Sequence, residues 1–303
     1  YSLLILFLPL VAFVIQIFFG KRLPRQGDWV SVGAITITLI LSIAMFVAML
    51  MGNDPAFKQE ASFTWLDMGS FSIELGFLVD NITVIMLLVV ALISTCTHIF
   101  SLKYLEGDIR YSRYFAYLGL FTFSMNGIVL ANNLISMYMF WELVGVSSYL
   151  LIGHWFEKDS AANAAKKAFL TNRVGDIGFF IGIMLIYTAI GSFVFGDIFE
   201  GVSTGMISGT TLTLAGVGLF LGAMGKSSQF PLHIWLPDAM EGPTPVSALM
   251  HAATMVAAGV YLTIRIFPLL TPDALLIVAY VGGFTALFAS TIAITQNDIK
   301  KVL

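Results

Sequence analysis

Three ionisable residues lie inside long apolar segments, where a charge facing lipid would be costly. Glu142 stands in the middle of the run 134–153, Lys226 closes a glycine-rich run, and His251 lies one turn into the run 244–266. A histidine, with an ordinary pKa of ~6.5, can pass a proton in either direction. Each residue also has a structural explanation: a protonated carboxyl that fixes packing, a lysine that reaches the interface, or a hydrogen-bonded core histidine. The chemistry that this set predicts is proton transfer at membrane depth.

Two further charges, Arg173 and Asp176, stand three residues apart and therefore share one helix face. This spacing predicts either an interfacial ion pair within one helix or a second functional pair. His233 and Asp238 flank a proline, but no third ligand is in spacing for a metal site. A single cysteine, Cys96, excludes multi-cysteine metal or iron–sulfur sites and any internal disulfide framework. No cofactor site is predicted in this chain.

The elements that must position these residues are membrane helices. Of the 303 residues, 58% are apolar and only 11% are charged, which excludes a soluble enzyme, a disordered tail and a nucleic-acid binder as the main interpretation. Apolar runs of about 20 residues, enough to cross a bilayer, recur along the chain and lack the alternation of barrel strands. They are 3–20, 29–51, 82–102, 113–131, 134–153, 169–195, 210–225, 244–266 and 274–295. The sequence predicts an all-α integral membrane protein, a polytopic helix bundle.

The seventh run is followed by a segment that cannot be a regular helix. Four prolines follow Lys226, from Pro231, five residues after the lysine, to Pro245. A proline lacks the N–H that a helix would use, so carbonyl groups near Lys226 are left free. Backbone groups without helical hydrogen bonds occur at membrane depth where they line a water-filled cavity. We therefore predict that helix 7 is discontinuous, with a break between Lys226 and Pro237.

The basic residues are distributed asymmetrically. Twelve of the 15 lie in the loops after spans 1, 3, 5 and 9 or at the adjoining helix starts, which predicts that this side is cytoplasmic and that the N-terminus is outside. The loop 52–80 is then external and forms either a short hairpin around Asp67 to Ser70 or an irregular loop. The chain begins without Met and ends in residues typical of a further helix, so we expect it to be part of a longer chain, truncated at its C-terminus.

Two segments resemble sequences of a known protein family. The stretch 133–143, around Glu142, and the stretch 226–256, from Lys226 through His251, resemble the antiporter-like subunits of respiratory complex I, the proton-translocating NADH-quinone oxidoreductase. The resemblance extends over essentially the whole chain, and the stretch 172–176 looks most like the L type of these subunits. It implies a proton-translocating subunit in which Glu142 pairs with Lys226, His251 carries protons onward, and Arg173 with Asp176 forms a second ion pair.

The resemblance also implies a fold and partners. Family members have about fourteen helices with two inverted repeats of five; this chain, one membrane domain over 1–303, would contain helices 1–9, the start of a tenth, and the first repeat at 113–266. FMN, iron–sulfur clusters and quinone would belong to the complex and none to this chain. Expected partners are other membrane subunits, especially a neighbouring M-type subunit, and lipid, but no nucleic acid. The expected location is the bacterial inner membrane. A subunit of a multi-subunit cation/proton antiporter is the alternative, and a purely structural membrane subunit is a third interpretation.

Overall fold

The computed structural model describes residues 1–52, 54, 57–69 and 72–302. It is a bundle of helices with one small antiparallel hairpin, which confirms the predicted all-α class. The long helices are α1 (Ser2–Phe19), α2 (Asp28–Gly52), α3 (Asn81–Tyr104), α4 (Tyr111–Leu130), α5 (Leu134–Ile152), α6 (Asp159–Ile190), α8 (Gly209–Lys226), α10 (Met255–Arg265) and α11 (Pro272–Ile294). Shorter helices are α7 (Phe195–Ser203), α9 (Thr244–Ser247) and α12 (Ile299–Val302).

Among the described residues, seven helical segments are long and apolar enough to cross a membrane. The two other predicted spans are also helices, α4 and α8, at the predicted positions. Helix α4 is buried along almost its whole length, with Tyr114, Phe115 and Phe121 inaccessible to solvent. Because other helices surround it, α4 can carry tyrosine, serine and asparagine on faces that do not meet lipid.

The loop between α2 and α3 contains the hairpin, which decides between the two alternatives left by the sequence. Strand β1 (Lys58–Asp67) pairs with β2 (Ser72–Asp80) in antiparallel register, with an irregularity between Thr64 and Leu66. The predicted turn residue Ser70 lies outside the described residues. The side-chain amide of Asn133 donates to the carbonyl oxygen of Glu74 at 2.8 Å. The hairpin is thereby fixed to the start of α5.

Helices α6 and α8 approach each other closely because glycines face each other across their contact. A Cβ atom on Gly182 would lie 2.7 Å from the backbone nitrogen of Leu219, and one on Gly218 would lie 3.0 Å from the carbonyl oxygen of Gly178. Small residues at such positions allow two helix backbones to come together. This contact brings the middle of α6, with Asp176, against the end of α8, with Lys226.

Several boundaries differ from the predictions. Helix α6 begins at Asp159, ten residues before the predicted run at 169, because its first turns are amphipathic rather than apolar. The predicted run ended at 195, but α6 ends at Ile190 and α7 follows as a separate short helix. The predicted span 244–266 is not one uniform helix: a π-helical segment, Ala248–Ala253, separates α9 from α10.

Candidate functional site

Two ion pairs lie side by side where α5, α6 and α8 meet. The ammonium nitrogen of Lys226 (α8) is 3.5 Å from Oδ2 of Asp176 (α6). Arg173 (α6) forms an ion pair with Glu142 (α5). Lys226 is wholly inaccessible to solvent and Asp176 is 2% exposed. In contrast, 20% of the side-chain surface of Glu142 and 38% of that of Arg173 are exposed. The inner pair is therefore buried and the outer pair is accessible.

This arrangement corrects the expected pairing. Glu142 pairs with Arg173 rather than with Lys226, and Asp176 pairs with Lys226 rather than with Arg173. Arg173 and Asp176 do share one side of α6, but they address different neighbouring helices. The glycine contact between α6 and α8 places Asp176 beside the end of α8, while Arg173 lies one turn earlier, opposite α5. The structure brings four of the predicted site residues together in this new order.

The indole of Trp141 holds the inner pair from the α5 side. Its Nε1–H donates to Oδ1 of Asp176 at 2.8 Å, so each carboxylate oxygen of Asp176 has its own donor. The Lys226 nitrogen also lies 5.9 Å from the centre of the Trp141 ring, within cation–π range. Trp141 is fully buried and packs edge-on against Phe179, with ring centres 5.3 Å apart. A residue directly beside Glu142 therefore positions the partner of Lys226.

Gly145 makes room for the lysine head group. A Cβ atom on Gly145 would lie 3.0 Å from the Lys226 nitrogen, closer than most real contacts of a Cβ. Gly145 lies one turn after Trp141 and Glu142 on α5 and so belongs to the same helix face. Sequence reasoning missed both Trp141 and Gly145. Their spacing from Glu142 is the signal that could have found them.

Regular α-helix stops at Lys226. Ser228 has a φ of +54°, and the chain continues through two 3₁₀ turns, Leu232–Trp235 and Asp238–Glu241, before α9 begins at Thr244. The end of α8 leaves carbonyl groups without helical partners. One of them, that of Gly225, accepts a hydrogen bond from the indole of Trp235 at 3.0 Å. The buried ammonium group thus lies where the regular α-helix ends.

His251 lies apart from the four charges. It belongs to the π-helical segment, a geometry that is often found at functional sites, and its ring centre is 5.8 Å from that of Trp235. Neither ring nitrogen has a hydrogen-bond partner among the described residues. Trp235 therefore contacts both the end of α8 and the predicted onward residue, and among the described residues no hydrogen bond or ion pair joins His251 to the four charges.

A second group of buried polar residues was not predicted. The sequence places His98 and His154 at span ends, where interfacial packing would explain them, but both are buried, with His98 inaccessible to solvent. The Nδ1 atom of His98 is 2.7 Å from the carbonyl oxygen of Ser94, and the Ser94 hydroxyl is 2.7 Å from that of Thr122. Ser94, His98 and Ser101 recur every three to four residues along α3, and this polar stripe was the available signal. No group of three or more metal-ligating side chains occurs within the described ranges.

Comparison with known proteins identifies the family. Residues 131–303 match the family described as "NADH:quinone oxidoreductase/Mrp antiporter, TM", and residues 65–115 match "NADH-Ubiquinone oxidoreductase (complex I), chain 5 N-terminus". The chain is 51% identical over 245 residues to "NAD(P)H-quinone oxidoreductase chain 5" of Synechocystis sp., an alignment that covers 79% of this chain and 36% of that protein. It is 44% identical over 324 residues to "F(420)H(2) dehydrogenase subunit L" of Methanosarcina mazei, which covers 100% of this chain and 47% of that protein.

Two solved structures share the fold. The Mrp complex from Dietzia sp. DQ12-45-1b superposes with a TM-score of 0.86 at 25% identity, over 99% of this chain and 32% of the matched one. The archaeal membrane-bound sulfane sulfur reductase superposes with a TM-score of 0.85 at 20% identity, over 99% of this chain and 61% of the matched one. The chain spans less than half the length of the two curated relatives described above. With its apolar helices, it is an integral membrane protein, and it belongs to the antiporter-like subunits of the NADH:quinone oxidoreductase/Mrp antiporter family.

Proposed function

We propose that this chain is a proton-translocating membrane subunit of an NADH-quinone oxidoreductase-type complex, in which electron transfer takes place in other subunits. The observation that carries the proposal is the buried ion pair of Lys226 and Asp176 at the interrupted end of α8. A buried ion pair is weak evidence for stability, because desolvation offsets most of its attraction. The names of the relatives in Synechocystis and Methanosarcina support the type of complex.

In this proposal Lys226 holds and releases the proton, and Asp176 controls how strongly the proton is held. At the observed 3.5 Å, with an effective dielectric constant of ~20, the carboxylate attracts the ammonium group by about 5 kcal/mol. Doubling the separation halves this attraction. Moving one proton against ~100 mV takes about 2.3 kcal/mol. A change of a few ångströms in the inner pair is therefore large enough to gate one transfer.

The outer pair and His251 have separate roles in the same scheme. When Glu142 turns away from Arg173, the free guanidinium can compete with Lys226 for Asp176, since Arg173 and Asp176 share one side of α6. A proton released from Lys226 would then pass to His251, whose ring lies beside that of Trp235. Both ring nitrogens of His251 are without partners in the described part of the chain, so the unprotonated one could accept a proton and the other could then release its own.

The partners, the repeat structure and the location are proposed from the family. We propose other membrane subunits as partners, including a neighbouring M-type subunit, and FMN, iron–sulfur clusters and quinone in the complex but not in this chain. Residues 113–266 would form the first antiporter-like repeat, with α8 and the helices after the break acting as one discontinuous membrane helix. The proposed location is a bacterial inner membrane with the N-terminus outside.

The test is proton translocation by the assembled complex in sealed vesicles. Lys226→Ala and Asp176→Asn should each abolish most of the translocation while the complex still assembles. Lys226→Arg should fail as well, because a guanidinium does not release its proton in the working pH range. The matched control is Lys103→Ala, which removes an exposed lysine from a surface pair with Glu106. Wild-type translocation by Lys226→Ala would show that the charge is structural and would overturn the proposal.

A multi-subunit cation/proton antiporter is the second candidate. It is favoured by the likeness to the Mrp complex from Dietzia, which extends over 99% of this chain. The same charged residues would serve either function, so variants of Lys226 do not separate the two. The subunits that purify with the native protein do: flavin and iron–sulfur proteins indicate the oxidoreductase, and small membrane antiporter subunits indicate the antiporter.

A further inference from the structure

A cavity of about 250 Å³ lies at the basic end of the bundle, away from the ion pairs. It is formed where α4 begins, α5 ends and α6 completes its first turns. Three cationic side chains line it, those of Arg110, Arg113 and Lys166. No carboxylate is among its lining residues in the described part of the chain. This concentration of positive charge is not explained by the ion pairs between α5, α6 and α8.

Within the described residues, an ion pair neutralises only one of the three cations. Arg110 forms an ion pair with Glu157, and its guanidinium lies 4.4 Å from the centre of the Phe156 ring. Arg113 and Lys166 are exposed, and neither forms an ion pair with any residue that the structure describes. Asp108, at the start of α4, accepts from the backbone N–H of Arg110 at 2.7 Å and does not line the cavity. The cavity therefore attracts an anion.

The rest of the wall is aromatic or small. Tyr117 lies one turn after Arg113 on α4, and Tyr149 comes from the last turns of α5. Tyrosine rings of this kind are typical of the level at which lipid head groups meet acyl chains. Gly153 leaves space in the wall, where an added Cβ would lie 3.3 Å from that of Ala165. The cationic side chains thus lie at the rim of the cavity, and the tyrosine rings lie closer to the middle of the bundle.

We propose that this cavity binds an anionic phospholipid. Arg113 and Lys166 contact the phosphate, and Tyr117 and Tyr149 flank the first part of an acyl chain. A free inorganic anion would use the cations but not the aromatic wall. A choline lipid would bring its own positive charge against Arg113. Cations at the rim and tyrosine rings deeper in the cavity therefore fit a lipid with a net negative head group.

The experiment uses the assembled complex in vesicles of phosphatidylcholine. These contain a trace of phosphatidylglycerol or phosphatidylcholine that carries a photoreactive group on the acyl chain, and the labelled peptides are mapped by mass spectrometry. Phosphatidylglycerol should label peptides 111–117 and 149–156 at least about tenfold more than phosphatidylcholine, since each basic residue near a membrane surface contributes substantially to anionic lipid binding.

The double variant Arg113→Gln with Lys166→Gln should reduce this labelling to the phosphatidylcholine level. The matched control, Lys21→Gln with Arg22→Gln, removes two exposed cations outside the cavity and should leave labelling unchanged. Equal labelling by the two lipids, undiminished labelling of the double variant, or no labelling because a neighbouring subunit fills the cavity would each overturn the proposal. Loss of labelling in excess inorganic phosphate would also overturn it and would assign the cavity to a free anion.

Discussion

At the residue scale, Trp141 and Lys226 each engage a different oxygen of Asp176. We predict that Trp141→Phe, which keeps an aromatic ring but removes the donor, lowers the free energy of unfolding by about 1–3 kcal/mol, the cost of an unsatisfied buried acceptor. It should also reduce proton translocation, because Asp176 is no longer held toward α8. Thermal unfolding of the purified protein and translocation in vesicles measure the two effects.

Trp155→Phe is the matched control, since its indole donates at 3.1 Å to Asp108, a carboxylate outside the spanning helices. Water can replace that donor, so the loss should stay below about 1 kcal/mol, with translocation unchanged. If the two variants behave alike, the Trp141 hydrogen bond does not position Asp176.

The membership of the ionic group could be predicted from the sequence, but its pairing could not. A charge in an apolar run is visible by itself, which is why Glu142, Lys226, Arg173 and Asp176 were all expected to matter. Which charge meets which depends on the rotation of each helix and on how closely two helices approach. That approach is set by glycines of α6 and α8, and no spacing within one helix determines it.

At the element scale, Asp80 links β2, α3 and α10 at the hairpin end of the bundle. It caps α3 by accepting from the N–H of Thr83 at 2.9 Å, and it forms an ion pair with Arg265 at the end of α10. Arg265 also donates to the hydroxyl of Tyr261 at 2.7 Å. Burial opposes the ionisation of Asp80, but the hydrogen bond and charge of Arg265 outweigh it, so the pKa of Asp80 lies below its usual value.

We predict that Arg265→Met lowers the free energy of unfolding by about 2–3 kcal/mol at pH 7, somewhat less than for a fully buried pair because Asp80 keeps 22% of its side-chain exposure. A lowered pKa in the folded state gives stability that is present above ~3.9, the unfolded value, and is lost as the pH falls through the folded value. Wild type should therefore lose more stability below about pH 4 than Arg265→Met does. Thermal unfolding at neutral and acidic pH measures this difference.

Other acidic groups contribute to the same pH dependence. Burial raises the pKa of Asp108. Hydrogen bonds from the backbone N–H of Arg110 and from Trp155 lower this pKa by more than burial raises it, so the net shift is downward. This contribution is common to both proteins, so the difference between wild type and Arg265→Met isolates Asp80. Parallel pH curves for the two would contradict the role given to the Asp80 pair.

Elements were predicted where one physical property dominates. Apolar length identified the spans, and Lys226, which closes the seventh apolar run, is the last residue of α8. The amphipathic first turns of α6 were missed because their charges lower the mean hydropathy, and α7 was hidden by its short length. The π-helical segment around His251 has no simple pattern of its own, since one extra residue in a turn depends on the packing of neighbouring helices.

At the scale of the whole molecule, the structure gathers most of the basic residues at one end. Arg110 after α3 reaches Glu157 after α5, and Lys300 near the end of the chain donates to the carbonyl oxygen of Met240 at 2.7 Å. Lys58 belongs to the hairpin, which contacts the other ends of the helices. The basic loops that the sequence assigned to one side of the membrane therefore lie at the same end of the bundle.

We predict that this basic end faces the cytoplasm, because positive residues are retained on that side during insertion. In a Cys96→Ser background, which removes the exposed native thiol, cysteines would replace Lys58, Lys103 and Lys166 one at a time. In right-side-out vesicles an impermeant maleimide should label Lys58→Cys directly, and should label Lys103→Cys and Lys166→Cys only after permeabilisation. Each substitution removes one cation of the 15, too few to reverse the charge asymmetry. Direct labelling of Lys103→Cys with protection of Lys58→Cys would show the opposite orientation, and labelling of all three from one side would contradict their placement at opposite ends of the bundle.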